Sequence, residues 1–157
     1  MKLISVKNLL QAEIGTTEVF SMEEDISKLD LPEEMEGHDL SITGKVMRLD
    51  DCVAVHGTAN ASLTLICDRC LDNFDTSIKF HFDREYILDR KEKNEEDLYV
   101  DKYLNVDLAP ELRAEIILAV PTQNICKETC GGLCLGCGVN LNHETCKCNN
   151  KETKTEE

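Results

Sequence analysis

The sequence predicts an α+β fold: a predominantly antiparallel β-sheet body with one helix and a C-terminal zinc-ribbon-like tail. Three observations carry this. Apolar side chains recur with a period of two from Asp39 to Leu88, an apolar stretch with a capping residue runs between prolines at 107–121, and six of the nine cysteines crowd after residue 125. A chain of 157 residues has room for one domain and a small appendage. The expected division is a β-rich body over 1–121, a cysteine-rich metal-binding tail over 122–150, and a disordered end over 151–157.

The elements follow in chain order. The start of the chain, Met1-Lys2-Leu3-Ile4-Ser5-Val6, is interrupted at once by Lys7 and then Asn8, too soon for a secretory signal, so a cytoplasmic location is expected. No run approaches the roughly 20 apolar residues of a membrane span. Residues 21–39 hold eight acids and one lysine, broken by Pro32 and Gly37, and read as a solvated loop or a short acidic helix. Leu40, Ile42 and Val46 then share one parity. After the Asp50-Asp51 turn signal, Val53, Val55, Ala59, Ala61, Leu63 and Leu65 share another, opposed by His56, Thr58, Asn60, Ser62 and Thr64. A single strand from Val53 to Cys67 exceeds the usual five or six residues, so a bend or bulge is expected at Gly57. The next strand turns Phe74, Ile78, Phe80, Phe82, Tyr86 and Leu88 inward against Asp75, Ser77, Lys79, His81, Asp83 and Glu85.

Cys67-Asp68-Arg69-Cys70 connects these two strands and is expected to present two thiols side by side at a hairpin tip. The charged stretch 91–101 reads as a further loop or frayed edge. A helix is expected near 108–120: Asp107 can cap it, Pro110 suits its first turn, Leu108, Leu112, Ile116 and Ala119 line one face, and Pro121 stops it. Beyond it the chain has little apolar periodicity and needs a staple in order to fold.

The cysteines supply one. Structural disulfides are rare in a reducing compartment, so metal ligation is the better reading of nine cysteines. Eight form close pairs: Cys67/Cys70, Cys126/Cys130, Cys134/Cys137 and Cys146/Cys148. Cys52 is left over and is expected to be a small packed or surface thiol. In Cys134-Leu135-Gly136-Cys137-Gly138 two sulfurs can face one ion, and the glycine after the second cysteine allows the positive φ that metal knuckles use. Cys146 and Cys148 can close that set, giving a four-thiolate site of Cys134, Cys137, Cys146 and Cys148. All-sulfur tetrahedral ligation suits zinc or iron, and a closed site suits a structural role. If the chain after the helix packs back on the hairpin tip, Cys67, Cys70, Cys126 and Cys130 form a second such site. The other possibilities are a free pair, or tail cysteines sharing ions among themselves. His143 is a weaker ligand candidate, because its spacing does not match that of a nucleic-acid zinc knuckle.

Other chemistries fit less well. Cys130-x3-Cys134-x2-Cys137 has the cysteine spacing of radical enzymes with an iron–sulfur cluster, but those need a run of βα units after the motif. Cys67-x2-Cys70 has a dithiol redox spacing, but it joins two strands and does not open a helix. His38, His56, His81 and His143 are scattered and form no catalytic set. The net charge of −14, from 17 Lys+Arg against 31 Asp+Glu, disfavours a wholesale coat on nucleic acid.

Taken together, Cys-Asp-Arg-Cys-Leu at 67–71, the run from Leu108 to Pro121, Cys126, Cys130-Gly-Gly-Leu-Cys134, Cys137-Gly-Val-Asn-Leu-Asn142 and Cys146-x-Cys148 resemble the YceD-like family of large-subunit ribosomal RNA accumulation proteins. The resemblance covers nearly the whole chain. Leu135 and Asn124 stand where prolines are common in the family, and neither is a ligand. The resemblance implies a non-enzymatic factor in ribosome biogenesis that supports accumulation of large-subunit rRNA. Some family members without the terminal ribbon keep counterparts of Cys67, Cys70, Cys126 and Cys130, with a histidine in the Cys126 place, which favours two zinc sites. The expected partner is a ribosomal protein or a pre-ribosomal large-subunit particle, with no membrane and no small-molecule substrate. The alternative is a zinc-ribbon RNA-binding protein acting by direct RNA contact through residues such as Lys45, Arg48 and Arg69.

Overall fold

The computed structural model of the chain describes residues 3–27, 29–88 and 97–148. Among these are one α-helix and antiparallel sheet, the fold class that the alternation predicts. The expected disordered end, 151–157, and residues 91–96 of the charged stretch lie outside the described residues.

The described residues divide into two compact units, those within 3–65 and 75–121 and those within 66–74 and 122–148. In the first, strand β1 (Ile4–Ser5) is followed by a short 3-10 turn at Leu9–Gln11 and then by strands β2 (Thr17–Asp25), β3 (Met35–Arg48), β4 (Cys52–Ile66) and β5 (Asn73–Ile87), of which Ile66, Asn73 and Phe74 fall in the second unit. Strand β6 (Asn105–Val106) pairs with β1, and helix α1 (Ala109–Ala119) follows it. The four long strands form one sheet in the order β2-β3-β4-β5. One face of that sheet is the core. Leu40, Ile42 and Val46 from β3 meet Val53, Val55, Ala59, Ala61, Leu63 and Leu65 from β4 and Phe80, Phe82 and Tyr86 from β5, all buried. Each of the larger aliphatic and phenylalanine side chains withdrawn from water contributes about 1.5–3 kcal/mol, and each alanine less.

Helix α1 buries Leu112 and Ile116, with Leu108 at its N-cap, as the sequence pattern requires. The Asp107 carboxylate accepts the Ala109 N–H at 2.9 Å, so the capping oxygen comes from the residue before the N-cap. Arg84 of β5 donates to Glu111 and Glu115 of α1, at 2.5 Å each, fixing the helix to the strand. Cys52 is buried and lies outside both cysteine clusters described below.

Two expectations are corrected. Residues 21–39 are neither a loop throughout nor a helix: β2 runs to Asp25 and β3 begins at Met35. The acids there did not prevent a strand because β2 is at the sheet edge, where most of its side chains meet water and no apolar alternation is needed. Nor does β4 bulge at Gly57. Its register with β3 is continuous through Gly44↔Gly57, and the irregularity falls in β3 between Gly37 and Leu40. The glycine serves packing: a Cβ at Gly57 would stand 2.4 Å from the Phe82 ring.

Candidate metal centres

The second unit starts from the turn between β4 and β5. The Leu71 N–H donates to the Cys67 carbonyl at 2.9 Å, and Leu71 takes φ 62° to close the turn. A second turn of the same design follows later in the chain. There the Gly138 N–H donates to the Cys134 carbonyl at 2.8 Å, with Gly138 at φ 74°. Both turns point two sulfurs three residues apart toward one spot. Glycine enters the left-handed region freely, whereas a leucine there costs about 1–2 kcal/mol.

The chain after α1 returns to the first turn. The Asp68 N–H donates to the Asn124 carbonyl at 2.8 Å, and the Asn124 N–H donates back to the Asp68 carboxylate at 2.6 Å. This lays Cys126 and Cys130 against Cys67 and Cys70. The Sγ atoms of each quartet, Cys67/Cys70/Cys126/Cys130 and Cys134/Cys137/Cys146/Cys148, all lie within 4.8 Å of one another. All eight predicted ligand residues are thus gathered in two sets of four. The tip thiols are not exposed as the hairpin reading implied: Cys67 and Cys70 are buried under the returning chain, with Cys130, Phe74, Ile125 and Cys126 around them.

The sulfur spacing tests whether an ion fits. Four sulfurs at about 2.3 Å from a tetrahedral zinc are separated by about 3.8 Å. Cys67 and Cys130 are 3.9 Å apart, Cys70 and Cys126 3.7 Å, and Cys137 and Cys146 3.8 Å, with Cys134 and Cys146 closer at 3.1 Å. Each distance is far above the roughly 2.05 Å of a disulfide. Both quartets could hold metal ions.

Their electrostatics agree with that use. Burial pushes the Cys67 thiol up, but N–H groups of Cys126, Arg69 and Cys70 directed at its sulfur outweigh burial and lower it to about 6. The Asp72 N–H pulls Cys70 down, yet burial and the neighbouring thiols push it up to about 12. The second quartet repeats the contrast. The Cys137 N–H and the Cys146 thiol lower Cys134 to about 6, while the Cys137 and Cys146 thiols raise Cys148 to about 12. Four crowded sulfurs cannot all ionise alone, and a bound dication would supply the missing charge.

Sequence reasoning missed the residues that brace the quartets. The Asn142 side chain donates to Cys130 Sγ at 3.4 Å and accepts the Gly131 N–H at 2.9 Å. Asn140 donates to the Asp72 carboxylate at 2.8 Å, and His143 Nε2 meets the same oxygen at 2.8 Å. His143 therefore pairs with a carboxylate and belongs to neither quartet. These bracing residues lie between Cys137 and Cys146 in the chain, so the loop of one quartet supports the sulfurs of the other. Asn-x-Asn-His in a glycine- and cysteine-rich segment reads as turn chemistry, and nothing in the spacing pointed to a sulfur.

Comparison with known proteins gives the following. A family model described as large ribosomal RNA subunit accumulation protein YceD matches residues 55–156, from within β4 through both quartets. A protein of Arabidopsis thaliana, described as large ribosomal RNA subunit accumulation protein YCED homolog 1, chloroplastic, is 24% identical over 153 aligned positions. The alignment covers 78% of this chain and 48% of that protein, so the chain spans about half the length of the curated relative it matches. No solved structure matches the chain. No helix among the described residues is long and apolar enough to cross a membrane.

Proposed function

Because this chain belongs to the YceD family of large ribosomal RNA subunit accumulation proteins, we propose that it is a non-enzymatic factor of large-subunit biogenesis, built around two structural zinc ions. The observation that carries the reading is the closure of both cysteine sets. Four thiolates around each ion leave no open position for a substrate or a reactive water, as a catalytic zinc requires. Each ion supplies charge neutralisation and a fixed tetrahedral crosslink. Cys67, Cys70, Cys126 and Cys130 hold one, and Cys134, Cys137, Cys146 and Cys148 hold the other.

Charge selects the mode of action. Two four-thiolate zinc sites bring the formal charge from −14 to about −18. A surface of that sign attracts a basic ribosomal protein, whether free or on a pre-ribosomal large-subunit particle, and repels bare RNA. The factor works in the cytoplasm, where reduced thiolates persist.

Depletion of the protein is expected to lower mature large-subunit rRNA relative to small-subunit rRNA, with Cys67→Ser and Cys134→Ser reproducing the depletion. His38→Gln, His56→Gln and His81→Gln, each tested singly, are expected to restore the ratio, since no proton relay is used. Quantifying both rRNAs after rescue decides this. An unchanged ratio on depletion contradicts the large-subunit role. A single histidine variant that stays folded and metal-loaded but fails to rescue contradicts the non-enzymatic one.

A further inference from the structure

We propose that the free edge of β2 is a docking site for an extended, lysine- or arginine-rich segment of a protein partner, which adds to the sheet as a further strand. Strand β2 ends the sheet and pairs only with β3 among the described residues. Its register is unbroken from Thr17↔Met47 to Asp25↔Asp39. The Ile26 N–H donates to the His38 carbonyl, and the Arg48 N–H donates to the Thr16 carbonyl. In an antiparallel ladder such pairs alternate, so Glu18, Phe20, Met22 and Glu24 bond to β3. The backbone N–H and C=O of Val19, Ser21 and Glu23 therefore point away from the sheet, with their side chains exposed to solvent.

Edges of this kind are usually blunted by charged side chains, a proline or a bulge; β2 has no proline and no bulge, and its charges are all acidic. The other edge strand, β5, carries Lys79 and Arg84, and Arg84 is tied to α1. What β2 carries is Glu18, Glu23, Glu24 and Asp25, with no basic residue. Four acids on a regular edge oppose a second copy of this chain, because an antiparallel pairing centred on Ser21 sets Glu18 opposite Glu24 twice. The same acids favour a basic strand, whose backbone supplies affinity and whose alternate side chains supply selectivity. Val19, 87% exposed, offers an apolar contact at the start of the strand, and Glu23 offers a charged one nearer its end. The docking site lies before the first residue of the family match.

The inference rests on the reading that the partner is a basic protein. The test isolates β2 and does not depend on rRNA or metal measurements. The full chain is mixed with a capped peptide of about eight residues in which lysine alternates with valine and threonine, a length suited to strand addition. Amide exchange is followed by NMR. Exchange at Val19, Ser21 and Glu23 is expected to slow about tenfold or more. The same peptide with glutamate for lysine, or with alternate amides N-methylated, is expected to leave it unchanged.

Ser21→Pro removes a donor that points away from β3 and is expected to weaken peptide binding about tenfold while the fold persists. The pair Glu23→Lys with Glu24→Lys provides a second variant with the backbone intact, and it is expected to abolish binding. Protection on another element, equal binding by the N-methylated peptide, wild-type binding by both variants, no protection at all, or a protein dimer closed through β2 would each overturn the proposal.

Discussion

Cys67→Ser is expected to open residues 122–133 to protease, whereas Cys134→Ser opens chiefly the segment that follows. The difference lies in what each site closes. Cys67 and Cys130 are 63 residues apart in the chain, while Cys134 and Cys146 are separated by 12. By loop-closure entropy, a crosslink over the longer span removes about 4 kcal/mol of chain freedom, against about 3 kcal/mol for the shorter. The larger contrast is in what remains afterwards. Without the first ion, residues 122–133 keep the mutual bonds of Asp68 with Asn124 and the bond from the Leu133 N–H to the Arg69 carbonyl, each worth only about 0.5–1.5 kcal/mol. Limited proteolysis with mass mapping reads the result. Unchanged cleavage between 122 and 133 in Cys67→Ser would contradict a crosslink between the hairpin turn and the returning chain.

Removing metal with a strong chelator is expected to unfold residues 122–148 as a whole while the first unit keeps its sheet. Structural zinc in small peptides is worth about 10–16 kcal/mol, comparable to or greater than the 5–15 kcal/mol stability of an entire domain. The second unit has little else: its buried cluster consists of Cys67, Cys70 and Cys130, with Phe74, Ile125 and Cys126 packed against it. The first unit has its own core of β3, β4, β5 and α1 side chains. Amide exchange should therefore collapse at Cys134 and Leu141, whose N–H groups bond within the ribbon, and at Leu133, whose N–H bonds to the Arg69 carbonyl, and persist through β4. Retained protection at those three amides in metal-free protein would show that packing holds the unit.

The parts of this architecture readable in the sequence were those with a strong period or a rigid chemistry. The alternation of β4 and β5 was legible because one face is core and the other solvent, so His56, Thr58 and Asn60 mark the outside as plainly as Val55 and Ala59 mark the inside. Helix α1 was legible from Pro110, Pro121 and the Leu112/Ile116 spacing. Strand β2 was not, because an edge strand with exposed acids has no apolar face to announce it. The two-residue strands β1 and β6 are too short for any periodicity. The bulge expected at Gly57 is absent because a glycine in a strand has two uses, bulge and ring contact, and only the position of Phe82 separates them. Within the site, the cysteine pairs were visible as spacing. The sulfur-directed Asn142 and the shared Asp72 carboxylate were not, since their roles depend on a chain return that the sequence does not encode locally.

The central claim is that eight cysteines close two tetrahedral zinc sites. Metal counting on protein purified without added metal, combined with X-ray absorption at the zinc edge, tests it directly. Two zinc ions per chain are expected, each with four sulfur neighbours at about 2.3 Å and no nitrogen or oxygen. One ion per chain, a nitrogen or oxygen neighbour, or a brown iron-containing protein from anaerobic preparation would contradict it.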